Sequence, residues 1–221
     1  MNSAEFDLWT DGYDMSVGLS DENQTYPFAG YKAVLNLIYR EVLTREAPEV
    51  LDIGCGTGVL AARLYQRGCQ IAGLDFSPRM IELAREKMPG AELFQWDFSR
   101  GLPPQLDGRH FDFIVATYSL HHLPDGEKPG FLAQLLELLK PGGKLLIGDV
   151  AFWDRAGLER CRRAAGEEWD EEECYFVWEE IGARLPGKAR FQKVSDCAGL
   201  MMLEHKMERS GIPYGEKTGS H

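Results

Sequence analysis

The segment LDIGCGTGVL, from Leu51 to Leu60, carries residues whose types and spacing point most directly to chemistry. Glycines at 54, 56 and 58 let the main chain approach a ligand where any Cβ would collide. A tight strand-to-helix connection without a ligand is the plainer alternative. A dinucleotide fingerprint would run G-x-G-x-x-G/A from Gly54, but the position it needs small is Val59. The pattern is instead D-x-G-x-G-x-G, with Asp52 ahead of the first glycine, and it favours a ligand without a pyrophosphate. Asp75 follows Gly58 by 17 residues and ends an apolar run, where its carboxylate can accept hydrogen bonds from both hydroxyls of a ribose. Each bond to a charged group contributes about 1.5–3 kcal/mol. Asp97, in QWDF, could accept from an adenine amino group while Phe98 offers its backbone N–H. Helix capping or a solvated loop would explain either acid alone. Two acids at the ends of consecutive strands beside one glycine turn are harder to explain that way.

Groups able to move a proton are His121 and His122 in SLHHL, with Tyr13 and Tyr118. A histidine near its ordinary pKa of about 6.5 suits base work, although one of the pair could simply cap or pack against a neighbouring helix. His121 and Tyr13 are the leading catalytic candidates. The cysteines are Cys55, Cys69, Cys161, Cys174 and Cys197. Their number is odd, none forms C-x-x-C, and no histidine cluster accompanies them. That argues against a disulfide framework or structural zinc and for a reducing, cytoplasmic setting. No metal constellation is visible.

These groups need a frame to hold them. VLDI (50–53), QIAGLD (70–75), AELFQW (91–96), FDFIVAT (111–117) and KLLIGDV (144–150) read as buried strands. Helical patterns lie between them, one opened by Ser77-Pro78 and one spanning roughly 127–139. Repeated strand–helix–strand units predict an α/β fold: a doubly wound, mostly parallel sheet with helices on both faces. A covering helix is expected over 31–46, and two helical stretches over 154–165 and 170–185. ARFQKV and GLMMLEHK then form an antiparallel hairpin at the sheet edge.

Composition sets outer limits. The chain has 221 residues and is 44% hydrophobic, enough for its own core. Its net charge of −11 is the wrong sign for a phosphate-backbone or anionic-membrane binder. Eight acids fall between Glu167 and Glu180 with no Lys or Arg, so the remainder totals only −3. Cys174, Trp178, Ile181 and Leu185 recur there at helical spacing, predicting an amphipathic helix. Its charged side is either a solvated face or a lid that attracts a cationic amine. The N-terminus lacks the basic start and apolar run of a secretory signal, and no stretch reaches the length of a membrane span.

Residues 50–150 resemble a class I S-adenosylmethionine-dependent methyltransferase, on LDIGCGTG, Asp75, WDF at 96–98, FDFIVATYSLHHL and LLKPGGKLLIGD. The N-terminal WTDGYD, with Tyr13-Asp14, resembles bacterial small-molecule methyltransferases of the YrrT type. The resemblance implies a seven-stranded Rossmann-like methyltransferase fold, S-adenosyl-L-methionine as cofactor, and a small-molecule methyl acceptor rather than nucleic acid or membrane. It also implies roles. Gly54, Gly56 and Gly58 would pass beneath the methionine part, Asp75 would hold the ribose, and Phe76 would border the adenine. Asp97 and Phe98 would read the adenine edge, Thr117 would lie near the methionine moiety, and Tyr13 would fold over the cofactor. Cys55 would be filler. The implied organisation is a single domain over 1–207, with an N-terminal cap to about 47, a cofactor core over 48–150, substrate-side helices and a hairpin over 151–207, and a disordered tail beyond. A nicotinamide-dependent oxidoreductase, or a non-enzymatic S-adenosylmethionine-binding protein, remains the alternative.

Overall fold

A computed structural model describes residues 25–185 and 188–204. Tyr13 and the 208–221 tail lie outside the described residues.

Helix α1 (Tyr31–Val42) precedes strand β1 (Glu49–Ile53), α2 (Val59–Gln66), β2 (Gln70–Asp75), α3 (Pro78–Lys87) and β3 (Glu92–Gln95). There follow β4 (Phe111–Thr117), α4 (Lys128–Glu137), β5 (Leu139–Phe152), α5 (Arg155–Ala165), β6 (Phe176–Val177), α6 (Trp178–Ile181), β7 (Lys188–Lys193) and β8 (Ala198–Glu204). The main sheet runs β3-β2-β1-β4-β5-β8-β7. Strands β1 to β5 are parallel, whereas β8 is antiparallel to both β5 and β7. The expected doubly wound sheet and edge hairpin are therefore both present.

Burial on both faces explains the unbroken apolar strands. On one face α1, α2 and α3 press Val34, Leu35, Ile38, Leu60, Leu64 and Ile81 against Val50, Val115 and Leu146. On the other, α4 packs Phe131, Leu132 and Leu135 against Leu51, Ile114 and Ile147. Ser77 caps α3 by accepting from the Met80 N–H, with Pro78 in the first turn, as its sequence predicts. The covering helix ends at Val42, earlier than expected, and β5 is longer at both ends than KLLIGDV.

The helix predicted over 170–185 does not form. Phe176 and Val177 instead pair in parallel with Ala151 and Phe152, extending the end of β5, and only Trp178–Ile181 is α-helical. Tyr175, Phe176 and Val177 are all buried, and β-branched and aromatic residues suit such a two-sided site. Of the preceding acids, Asp170 and Glu173 would face one another at i, i+3 in a helix and repel. Together these effects outweigh the apolar i, i+4, i+7 spacing. The acidic segment is thus a loop crossing the carboxyl ends of the strands, and the amphipathic lid helix is withdrawn.

Candidate active site

The connection from β1 to α2 stands at the carboxyl end of the sheet, where doubly wound folds bind ligands. Gly54, Gly56 and Gly58 all have positive φ, at 69°, 54° and 77°. The Gly54 and Cys55 N–H groups both donate to Leu74 O, at 2.8 and 3.0 Å, tying the turn to the end of β2. A Cβ on Gly54 would lie 2.5 Å from Ser119 Cβ, and one on Gly58 would lie 2.8 Å from Met88 Cε. A Cβ on Gly56 would meet nothing within 4 Å. Packing inside the protein thus requires Gly54, whereas at Gly58 the neighbour is the flexible end of Met88 and the positive φ is the constraint; Gly56 faces open space.

Asp75, only 7% exposed, accepts from Gly56 N–H at 2.9 Å through Oδ2 and from Ser77 N–H at 2.9 Å through Oδ1. It therefore joins the glycine turn to the start of α3, each oxygen retaining a further lone pair. The adjoining Phe76 ring is 67% exposed, an unusual state for a large apolar group. Asp97 accepts from the Ser99 hydroxyl at 2.7 Å and the Ser99 N–H at 3.0 Å. The hydroxyl bond comes first among the causes holding its carboxyl below the ordinary range. The Phe98 ring is buried, stacked on Phe131 at 5.7 Å, so at this strand end only its main chain is on offer. Thr117 closes β4, and the next residue, Tyr118, takes a positive φ of 50° as the chain turns.

Asp52, marked in the sequence only as the acid that opens the glycine pattern, lies directly beneath the turn. It is fully buried in β1, its Oδ1 has no hydrogen-bond partner, and burial together with the nearby Asp75 pushes its pKa up to about 7. The available signal was an acid inside the otherwise apolar VLDI. Burial also pushes the Cys55 thiol well above its usual range, which makes it a poor nucleophile.

Beyond Thr117 the chain forms a single 3-10 turn, Leu120–His122. Asp149, wholly buried on β5, accepts from Leu120 N–H at 3.2 Å and lies 2.6 Å from His121 Nδ1. An ionised carboxylate there fixes Nδ1 as the donor and leaves Nε2 as the basic nitrogen of the neutral ring. Burial opposes a charge on His121, but Asp149 and Glu173 outweigh it and raise the imidazole above its ordinary pKa, with Lys128 pulling the other way. The acidic loop closes over this pair: Cys174 N–H donates to His121 O at 2.9 Å, and Glu173 lies 3.0 Å from His122 Nδ1 and 3.9 Å from His121 Nε2.

Donor atoms of His121, His122 and Glu173 thus fall within 4.8 Å of one another, a constellation that sequence spacing could not reveal. Glu173 is the one carboxylate among them and shares His121 with Asp149; the buried Lys128 nearby is paired with Asp125 at 2.6 Å, its Nζ 4.5 Å from the centroid of the Phe176 ring. A group so composed can bind and release a proton. Next to it, Tyr26 stacks on Trp169 at 4.9 Å and meets Tyr175 edge-on, their hydroxyls hydrogen-bonded. A cavity of about 420 Å³ opens beside β5, bounded by Tyr26, Phe152, Trp153, Arg160, Cys161 and Cys197. Among the described residues, no helix is long and apolar enough to cross a membrane.

Comparison with known proteins agrees with this geometry. A family model described as a methyltransferase domain matches residues 50–143. An uncharacterized methyltransferase of Geobacillus kaustophilus is 36% identical over 194 residues, spanning 84% of this chain and 86% of its own. Among solved structures, magnesium protoporphyrin IX methyltransferase from Synechocystis, with bound S-adenosylhomocysteine, gives a TM-score of 0.65 at 18% identity over 92% of this chain and 95% of that one. The N-methyltransferase NodS from Bradyrhizobium japonicum, also with S-adenosylhomocysteine, gives 0.60 at 19% identity over 92% and 97%. The two structures speak for the fold; the family rests on the Geobacillus relative, similar over most of both chains, and on a glycine turn built as described, so the chain belongs to the class I S-adenosylmethionine-dependent methyltransferases and takes S-adenosyl-L-methionine as its cofactor.

Proposed function

We propose that the enzyme methylates a small-molecule acceptor at the carboxyl ends of β4 and β5, with His121 accepting a proton where the acceptor must lose one. The observation that carries this reading is the His121–Asp149 pair, placed between the glycine turn and the aromatic group of Tyr26, Trp169 and Tyr175. When bound, S-adenosylmethionine supplies an electrophilic methyl group on a sulfonium, so the protein mainly aligns and desolvates. Alignment of this kind can contribute about 7–11 kcal/mol.

The residues present suit the cofactor. Open space at Gly56 admits it against the main chain, Asp75 has lone pairs left for ribose hydroxyls, and the exposed Phe76 ring offers a face to the adenine. Asp97 and the Phe98 N–H would meet the adenine edge, and Thr117 the methionine portion. The orphaned Asp52 Oδ1 beneath the turn leaves a buried acceptor without a protein partner, and a cation bound above it would favour the ionised carboxylate. His121, oriented by Asp149, holds Nε2 toward the acceptor side. Tyr13 remains part of this proposal as a residue that would fold over the cofactor. The five cysteines, all free thiols, fit a cytoplasmic setting. Family membership sets the oxidoreductase alternative aside.

The deciding experiment is a screen of thiol, amine, hydroxyl and carboxylate acceptors for S-adenosylhomocysteine release, run beside His121→Gln. A turned-over acceptor whose rate is unaffected by His121→Gln would remove the base from the mechanism. Methylation confined to nucleic acid or protein would overturn the acceptor class.

A further inference from the structure

Helix α5 and the turn between β7 and β8 bring together two cysteines that the methyl-transfer site does not use. Cys161 Sγ and Cys197 Sγ lie 2.7 Å apart, and both residues are buried. Their positions are set by main-chain restraints rather than by the sulfurs. Asp154 caps α5 by accepting from Gly157 N–H at 2.6 Å. Ser195 Oγ accepts from the Cys197 and Ala198 N–H groups, at 3.1 and 3.0 Å, and donates to Ala29 O at 2.6 Å. Ala151 N–H donates to Cys197 O at 3.1 Å, fastening the turn to β5. Leu158, Tyr26, Phe152 and Val177 pack around the pair. Both cysteines line the cavity beside β5, which gives a small reagent a route to them, and Arg160 and Lys193 line the same space.

We propose that Cys161 and Cys197 are a redox modification site that closes to an intramolecular disulfide by exchange with a low-molecular-weight disulfide such as oxidised glutathione. Cys197 is the attacking group. The two sulfurs share a hydrogen bond, and with the Cys161 S–H as its donor the Cys197 pKa is lowered against the opposing effects of burial and Asp196, Lys193 acting in the same direction as Cys161. The Cys161 thiol is correspondingly raised. The Cys197 thiolate attacks one sulfur of the small disulfide, forming a mixed disulfide and expelling one thiolate, which takes the Cys161 proton. Cys161 sulfur then attacks Cys197 Sγ, forming the internal bond and expelling the second thiolate. Two protein thiols are oxidised, one small disulfide is reduced to two thiols, and no other reactant is needed. Sequence spacing gave no hint of the pair, because 36 residues separate its members. The proposal does not depend on the identity of the methyl acceptor.

The full-length enzyme is incubated with oxidised glutathione, quenched in acid, alkylated, and measured by intact mass and peptide mapping. The expected product has lost two hydrogens, shows two fewer alkylated cysteines, and yields one linked peptide joining residue 161 to residue 197; dithiothreitol restores it. Cys161→Ser is expected to stop at a persistent glutathione adduct on Cys197, and Cys197→Ser to leave Cys161 alkylated as in the untreated protein. Wild-type enzyme that gains glutathione without forming the 161–197 link, or that does not react, overturns the proposal. So does a Cys161→Ser variant that remains unmodified at Cys197, because the attacking role is then misassigned.

Discussion

Asp149 on β5 holds the ring of His121, in the turn after β4, through a 2.6 Å contact between Oδ1 and Nδ1. Its other oxygen accepts from the main chain of that same turn, at Leu120 N–H. One buried carboxylate thus fixes both the backbone of the turn and the orientation of its imidazole. β4 and β5 are neighbours in the sheet, so the arrangement follows from strand order rather than from proximity in sequence.

This pairing makes a prediction about rate against pH. Asp149 and Glu173 raise the His121 pKa above about 6.5, outweighing burial and the charge of Lys128. For an acceptor that must lose a proton, kcat/KM is expected to climb with pH through that raised value. In Asp149→Asn the climb should move to lower pH, and His121→Gln should lower kcat by about 100-fold or more. A pH–rate profile of the three proteins checks this; identical profiles in wild type and Asp149→Asn would exclude the dyad.

Asp52 governs stability in a different pH window. Its carboxyl, buried beside Asp75 and Cys55, is raised from 3.8 to about 7, so the folded state binds its proton more tightly than the unfolded chain does. That contribution is complete below about 3.8 and is lost as pH rises to about 7, the direction expected where the native state holds more protons. Asp52→Asn should flatten the decline between pH 5 and 7. Urea unfolding of wild type and variant across that range isolates the effect from other groups, and parallel curves would count against it.

Asp75→Ala tests the cofactor pocket. The substitution removes the acceptor for the Gly56 and Ser77 N–H groups along with the partner proposed for the ribose. Loss of one charge-assisted hydrogen bond to ligand is worth about 1.5–3 kcal/mol, so affinity for S-adenosylhomocysteine should fall by about 10- to 100-fold. Isothermal calorimetry measures it, with NADH expected to bind neither protein.

Much of this site could be read from one dimension because the residues proposed to hold the cofactor come from consecutive strand ends. LDIGCGTG, Asp75 and Asp97 each announce themselves beside an apolar run. Asp149 could not, since its partner is 28 residues away and an acid near the end of KLLIGDV reads as a strand terminus. Glu173 reaches His121, and Cys174 O reaches Lys128, only because the acidic segment folds as a loop over the site. Its apolar spacing suggested a helix, but burial of Tyr175, Phe176 and Val177 against β5 decided otherwise. Periodicity reports which side chains want burial; it does not report that a neighbouring strand can satisfy them better.

Two nearby glycines should respond to the same substitution in different ways. Gly54 and Gly56 both have positive φ, so an alanine at either carries about 1–2 kcal/mol of backbone strain. At Gly54 the new methyl would also meet Ser119 Cβ at 2.5 Å, and Ser119 is held by donating to Ile53 O at 2.8 Å. The neighbour cannot retreat without breaking that bond, so overpacking adds about 1–3 kcal/mol. At Gly56 the methyl enters open space, where the cofactor would lie. Gly54→Ala should therefore lower the melting temperature much more than Gly56→Ala, whereas Gly56→Ala should retain a folded protein that binds S-adenosylhomocysteine weakly. Thermal unfolding and calorimetry on the two variants separate the cases. Equal destabilisation with equal residual binding would mean that Gly56, too, serves only the turn.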